Sequence, residues 1–242
     1  MGESMETRLS TGIEGLDQML RGGFLPGRAY LVKGAPGTGK TTLAMHFAMA
    51  GVVRGESVMY ITLEESAETL RADMTRLGFN LTNPHLTIID ATPIGDNYVF
   101  MDTFFDSFAK GFDKMVSAIK DELRTRKYTR IVIDPITMVK LTSTDEIEYR
   151  RLFLSFLKSM YKRGVTLLMT SEVERTDVEE YLVSGIIELK SFDVDGELVR
   201  GVRVTKLRGS GFDTAIRPYV ISEGGIVVFA DKILKPPSHS KL

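Results

Sequence analysis

Gly34-Ala35-Pro36-Gly37-Thr38-Gly39-Lys40-Thr41 decides how this chain is read. The stretch fits the pattern G-x4-G-K-[ST] of a phosphate-binding loop. Its glycines let the backbone curl so that successive N–H groups face one anion. The helix predicted to start at Lys40 adds the positive end of its dipole. Lys40 brings a mobile cation to the β- and γ-phosphates. Thr41 offers a hydroxyl to Mg2+, and Thr42 has one within reach of an α-phosphate. The cradle therefore predicts bound ATP with Mg2+. Such a pattern also arises by chance. Its neighbours argue against chance, because an apolar strand precedes it and an amphipathic helix is expected after it.

Outward from the cradle, strands alternate with helices. Strand Ala29–Lys33 leads in and helix Lys40–Val53 leads out. Then come strand Val58–Leu63, helix Ala67–Leu77, strand Leu86–Asp90, helix Lys114–Arg126, strand Ile131–Asp134, helix Glu146–Arg163 and strand Val165–Thr170. These strands are apolar throughout, as expected where both sheet faces are covered. The pattern predicts an α/β fold, a mostly parallel sheet flanked by helices. A short helix, Gly15–Leu20, opens the chain and stops at Gly22-Gly23. After about residue 184 the pattern changes. Gly185–Val194 and Leu198–Leu207 flank Asp195-Gly196, and Tyr219–Ser222 and Ile226–Phe229 flank Glu223-Gly224-Gly225. Both read as C-terminal antiparallel β-hairpins extending the same sheet. One domain over residues 1–230 and a flexible tail over 231–242 are expected.

A chain of 242 residues suits one such domain, and 43% hydrophobic with 26% charged residues is ordinary for a globular protein. The net charge of −1 gives no global pull on nucleic acid or anionic membranes. With no cysteine, disulfides and thiolate metal sites are excluded. His46, His85 and His239 lack ligand spacing, so no zinc site is expected. The polar stretch Met1–Ser10 does not read as a secretory leader, and no run reaches the ~18 apolar residues of a membrane span. A cytoplasmic location is therefore expected.

Two groups of carboxylates carry candidate chemistry. Asp134 ends an apolar strand, where it can hold Mg2+ through water or simply cap the next helix. Glu64-Glu65 closes another strand at its carboxyl end, where open α/β sheets bind ligands. Either can orient and deprotonate an attacking water; both also fit surface charge at a helix start. Phe100, Phe104 and Phe108 recur four apart and form a helical stripe within Pro93–Phe112, for packing on the sheet or for a partner contact.

Taken with the opening module, these residues resemble the KaiC-like branch of the RecA-superfamily ATPases. The similar stretches are Ser10-Thr11-Gly12-Ile13-x-Gly15-Leu16-Asp17 with Gly22-Gly23 and Gly27, and Thr62-Leu63-Glu64-Glu65. Further along they are Ser171-Glu172, Val183-Ser184-Gly185-Ile186-Ile187, Lys206-Leu207-Arg208-Gly209-Ser210, and Pro218-Tyr219 through Val228-Phe229. The resemblance spans about residues 8–230. It implies a RecA-like core with strand Val165–Thr170 between the cradle and Asp134 strands. It implies that Glu64 and Glu65 flank the γ-phosphate. It also implies a homo-oligomeric ring, usually a hexamer, with ATP between subunits and with Lys206 and Arg208 reaching the neighbour's γ-phosphate. Without the resemblance, Lys206 and Arg208 read as an exposed strand face. The chain has one repeat where the family's clock member has two, and Tyr181-Leu182 where that member's phosphoacceptor pair would fall. No clock role is inferred.

Three functions compete: a ring-forming, ATP-hydrolysing regulatory ATPase, a DNA-acting recombinase or helicase relative, and a nucleotide-gated binding module with negligible turnover. The loop Ser171–Val183 carries Glu172, Glu174, Asp177, Glu179 and Glu180 against Arg175 alone. Such a run repels phosphates, so nucleic acid ranks second. The paired glutamates weigh against the third.

Overall fold

The computed structural model describes residues 8–92, 111–140, 146–172 and 178–235. The chain opens with α1 (Glu14–Met19), β1 (Ala29–Gly34), α2 (Lys40–Val53), β2 (Val58–Thr62), α3 (Ala67–Arg76) and β3 (Leu86–Asp90). It continues through α4 (Gly111–Thr125), β4 (Arg130–Asp134), α5 (Thr137–Lys140), α6 (Glu146–Lys162), β5 (Thr166–Ser171) and α7 (Val178–Leu182). The last strands are β6 (Gly185–Val194), β7 (Glu197–Leu207), β8 (Arg217–Ser222) and β9 (Gly225–Val228).

Among the described residues nine strands make one sheet, in the order β3-β2-β4-β5-β1-β6-β7-β8-β9. From β3 to β6 every pairing is parallel, and from β6 to β9 every pairing is antiparallel. β5 lies between β1 and β4, as the resemblance implied. The carboxyl ends of β1, β2, β4 and β5 therefore share one edge of the sheet. Gly34, Glu64-Glu65, Asp134 and Glu172 all stand on or just past it.

Strands β2, β4 and β5 are buried along their whole length, because helices cover both faces. Tyr30, Val32, Tyr60 and Val132 join one core layer with Leu16, Leu43 and Phe47. Their strand neighbours Leu31, Ile61 and Ile133 join the other, with Phe153, Phe156 and Val178. The alternation of side chains along a strand makes this division.

α2 corrects one expectation. It is not amphipathic, because residues around most of its circumference are buried. The sheet, the opening module and the last hairpin enclose it. Gly12 has φ +81, and a Cβ there would lie 2.6 Å from the His46 carbonyl oxygen; one on Gly15 would lie 2.1 Å from that of Val228. Both glycines permit the close approach. At the amino end of β4, the fully buried Arg130 forks onto Glu56 at 2.7 and 3.0 Å. It also donates to the carbonyls of Ser10 (2.8 Å) and Phe47 (3.0 Å), tying the opening module to α2. A buried guanidinium demands this full set of partners.

The short helices α5 and α7 were not expected. Where a free tail was expected from residue 231, the Leu234 N–H donates to the Ile216 carbonyl at 2.8 Å and Arg217 donates to that of Lys232 at 2.9 Å. The phenylalanine stripe, with the remainder of the tail, lies outside the described residues.

Candidate functional site

The cradle joins the carboxyl end of β1 to the amino end of α2. Ala35, Pro36 and Gly37 are exposed at its rim, while Thr38 and Lys40 are buried at its base. Gly37 and Gly39 have φ of +77 and +89, the left-handed region that only glycine adopts freely. A Cβ on Gly34 would lie 2.5 Å from the Thr38 hydroxyl oxygen, so that position also needs glycine. Thr38 ties the loop to itself, its hydroxyl donating to the Ala35 carbonyl at 2.8 Å. Thr41 and Thr42 stand on the first turn of α2.

The Lys40 ammonium lies 3.2 Å from both the Ala35 carbonyl and the Glu172 carboxylate. Glu172 follows β5 directly and gives Lys40 an anionic partner within the protein. Asp134 stands beside them at the end of β4. Its carboxylate accepts the Tyr60 hydroxyl at 2.6 Å on one oxygen and the Thr170 hydroxyl on the other. Burial and the Asp134 charge push the Tyr60 hydroxyl far up, so it stays a donor.

Glu64 and Glu65 sit in a short loop pinned at both ends. The Leu63 N–H donates to the Asp134 carbonyl at 2.8 Å, and the Thr62 hydroxyl donates to the Glu65 carbonyl. At the far end Ser66 caps α3, and the Ala67 N–H donates to Asp90 at 2.7 Å. Glu64 is exposed and Glu65 half-buried. Burial raises the pKa of both. For Glu64 the carboxylates of Glu172 and Asp134 raise it further, and Lys40 opposes them. For Glu65 the further carboxylates are Asp73, Asp134 and Glu64. Glu64 therefore shares the field of the cradle lysine, whereas Glu65 shares that of α3.

These groups suit Mg2+, a hard cation that keeps most of its waters and takes few protein ligands. Thr41 supplies a hydroxyl, and each Asp134 oxygen retains a lone pair after accepting its hydroxyl. Among the described residues no three His, Cys, Asp or Glu side chains cluster as a metal cage. The donor set thus fits an ion carried largely by phosphate and water.

Lys206 and Arg208 lie on and just past the end of β7, and they share a face as their spacing predicted. Lys206 donates to the carbonyl of Glu180 at 2.5 Å, and Arg208 to that of Tyr181 at 2.8 Å. The carbonyl end of α7 is the negative partner that holds two cations together. Burial lowers the Lys206 pKa, with Arg208 adding to the shift and Glu180 opposing it. α7 packs through Val178 into the core layer across the sheet from α2.

The acidic loop after β5 is less bare than its sequence implied. Glu172 meets Lys40, Glu179 accepts the Tyr149 hydroxyl, and Glu180 pairs with Lys33. The sequence reading also missed Tyr60 and Thr170 as the partners of Asp134. Thr170 had a visible signal, a hydroxyl following the apolar run Leu167-Leu168-Met169.

A strand-loop-helix phosphate cradle on a β3-β2-β4-β5-β1 parallel core, with carboxylates on the adjoining strand ends, defines a RecA-like P-loop ATPase fold. A family model described as the KaiC ATPase matches residues 9–233, and the chain belongs to that family. It is 28% identical to the UPF0273 protein PH0284 of Pyrococcus horikoshii, over 96% of this chain and 97% of that one. It is 30% identical to the circadian clock oscillator protein KaiC of Parasynechococcus marenigrum, over 92% of this chain and 44% of that one. The crystal structure of the KaiC-like protein PH0186 from Pyrococcus horikoshii superposes with a TM-score of 0.78 at 29% identity, covering 92% of this chain and 99% of that one. Among the described residues no helix is long and apolar enough to cross a membrane.

Proposed function

We propose that residues 1–230 form one ATPase domain that binds Mg-ATP in the Gly34–Thr41 cradle and hydrolyses it to ADP and phosphate. The observation that carries this reading is the cradle lysine set among Glu172, Glu64 and Asp134 at one sheet edge. In this reading the loop N–H groups and Lys40 hold the β- and γ-phosphates, with the phosphate taking over from Glu172 on Lys40. Mg2+ bound with ATP spreads the charge of the β- and γ-oxygens. Thr41 and Asp134 are the residues that would hold it. Glu64 accepts the proton of the water that attacks the γ-phosphorus, and the bond to the ADP oxygen breaks. Glu65 is the neighbouring carboxylate, and its backbone carbonyl accepts the Thr62 hydroxyl that pins the loop. Glu64 is favoured in the proton-accepting role because it shares the field of Lys40 and Glu172, whereas Glu65 shares that of Asp73 on α3.

The assembly in this reading is a homo-oligomeric ring, hexameric like the family's usual state, with ATP between subunits. Arg208 is exposed, and the α7 side of the sheet lies away from α2. Both features favour delivery of Lys206 and Arg208 to a neighbour's γ-phosphate. The test is direct. Lys40→Ala should abolish Mg-ATP binding by calorimetry, and native mass measurement should find ATP in rings of the wild type. Equal affinity in wild type and variant would remove the reading. ATPase rates that rise on adding single-stranded DNA would favour the DNA-acting alternative.

A further inference from the structure

The last hairpin returns to the cradle from the far end of the chain. The Tyr219 hydroxyl donates to the Thr38 carbonyl at 2.6 Å, across 181 residues of sequence. Both residues are buried, Thr38 to 1% and Tyr219 to 2% exposure, so water does not compete for that carbonyl. Tyr219 is the third residue of β8, paired with Arg200 on β7 and with Val228 on β9. Sheet pairing on both sides therefore fixes where its hydroxyl stands. The same hairpin floors the next residue. A Cβ on Gly39 would lie 2.6 Å from the Ile221 Cδ1 and 3.5 Å from that of Ile226.

We infer that Tyr219 is a positioning residue for phosphate binding, setting the orientation of the Thr38–Gly39 peptide. The reason is the planarity of a trans peptide, in which C=O and N–H point in opposite directions. A hydroxyl that holds the Thr38 carbonyl toward the hairpin turns the Gly39 N–H the other way, into the cradle. Gly39 carries no Cβ and has φ +89, so little else resists rotation of this peptide. A flipped peptide would present a carbonyl dipole to an incoming phosphate. The hydroxyl's job is therefore to keep the loop in its anion-binding form before the anion arrives, which raises affinity by raising the competent fraction. Tyr219 touches the loop backbone and is placed outside the group of reacting residues. Burial holds its hydroxyl well above the ordinary tyrosine range, so it remains a donor throughout the working pH range.

The inference rests on the nucleotide reading of the cradle, and the experiment separates the two. Calorimetry with Mg-ATP is run on wild type, Lys40→Ala and Tyr219→Phe, with thermal unfolding of each. Tyr219→Phe keeps the ring and loses only the donor. Its affinity should fall about tenfold if one loop in ten remains competent. Its rate at saturating ATP should stay at the wild-type value, and its Gly39 amide resonance should broaden from peptide exchange. A residue that only packs would lower the unfolding midpoint and leave affinity within twofold; that outcome overturns the inference while wild type still binds. If wild type fails to bind Mg-ATP, the nucleotide reading falls and this inference with it. If Tyr219→Phe does not fold, the wild type carries the test through its Tyr219 hydroxyl proton. Slow exchange that slows further on adding Mg-ADP supports the inference; exchange that speeds up shows the bond breaking as phosphate binds and overturns it.

Discussion

The parallel and antiparallel halves of the sheet are built by different rules. In the parallel half, β2, β4 and β5 are buried along their whole length, so polar chemistry is confined to strand ends. Arg130 with Glu56 marks the amino end of β4 and Asp134 the carboxyl end. In the antiparallel half, burial alternates. Along β8 and β9, Tyr219, Ile226 and Val228 face the core beside α2, while Val220 and Val227 stand 44% and 46% exposed. A strand with one free face can lend the other to a neighbouring element. In the proposed reading the parallel half holds the groups that meet phosphate, and the antiparallel half holds the braces and the outward cations.

The largest expected effect tests the outward cations. Arg208→Ala should lower ATP hydrolysis by on the order of 10³-fold, the scale of a phosphate-directed arginine. Binding of Mg-ATP should survive, because the cradle is untouched. Lys40→Ala subunits keep Arg208, so rings mixed from the two variants should regain activity at some interfaces. If rings shown to contain both variants stay inactive, Arg208 acts only on α7 of its own chain. Next in size is the parallel half's own contribution. Glu64→Gln should lower the rate about 10²- to 10⁴-fold with ATP affinity spared. Glu65→Gln should cost less, about tenfold, since its carboxylate lies in the field of α3 rather than that of Lys40. The raised Glu64 pKa adds a sign: the acidic limb of the rate profile should lie above the ordinary carboxylate range. Glu64→Gln activity, however small, should lack that limb. Equal losses for the two variants would remove the distinction between them.

The same division explains what the sequence disclosed. In the parallel half, β1, β2 and β4 are largely apolar runs that end at or next to a candidate residue, so Gly34, Glu64-Glu65 and Asp134 could be located by where apolarity stops. Strand bounds there differ from expectation by at most one residue at either end, and β3 matches. In the antiparallel half the hairpins were legible from Asp195-Gly196 and Glu223-Gly224-Gly225; Asp195-Gly196 and Glu223-Gly224 form the turns, and Gly225 opens β9. Their purpose was not. No local pattern says that Tyr219 meets Thr38 or that Lys206 and Arg208 meet α7, because those contacts depend on how strands far apart in sequence line up. α2 shows the limit from the other side. It was expected to be amphipathic, but its sequence is apolar nearly all round, and the elements that cover its second face come from residues 10–15 and 225–228.

The smallest expected effect asks how firmly the last hairpin is held against α2, and His46 is one of the side chains that hold it. It projects from α2, and its Nε2 accepts the Ile226 N–H at 2.8 Å. The other ring nitrogen bonds the Gly12 backbone, and the ring stands edge-on to Phe79 at 4.9 Å. Gly225 has φ +92, and a Cβ there would lie 2.2 Å from Nε2, so the turn closes tightly on the ring. Protonating Nε2 would set an N–H against the N–H of Ile226. Burial lowers the His46 pKa from 6.5 to about 4, with the Gly12 bond opposing the shift. The folded value thus lies below the unfolded one, and the unfolded chain takes up the proton first. The stabilisation is complete above pH 6.5 and is lost progressively as pH falls toward about 4. Its size is about 2–3 kcal/mol, allowing for partial solvent access to the ring. Urea unfolding of wild type and His46→Gln at pH 7 and pH 4.5 isolates this term, because the other titrating groups are common to both. The wild type should lose more stability than the variant between the two pH values. Losses of equal size would mean that the hairpin tolerates a charged ring, and that backbone pairing rather than His46 holds the antiparallel half against α2.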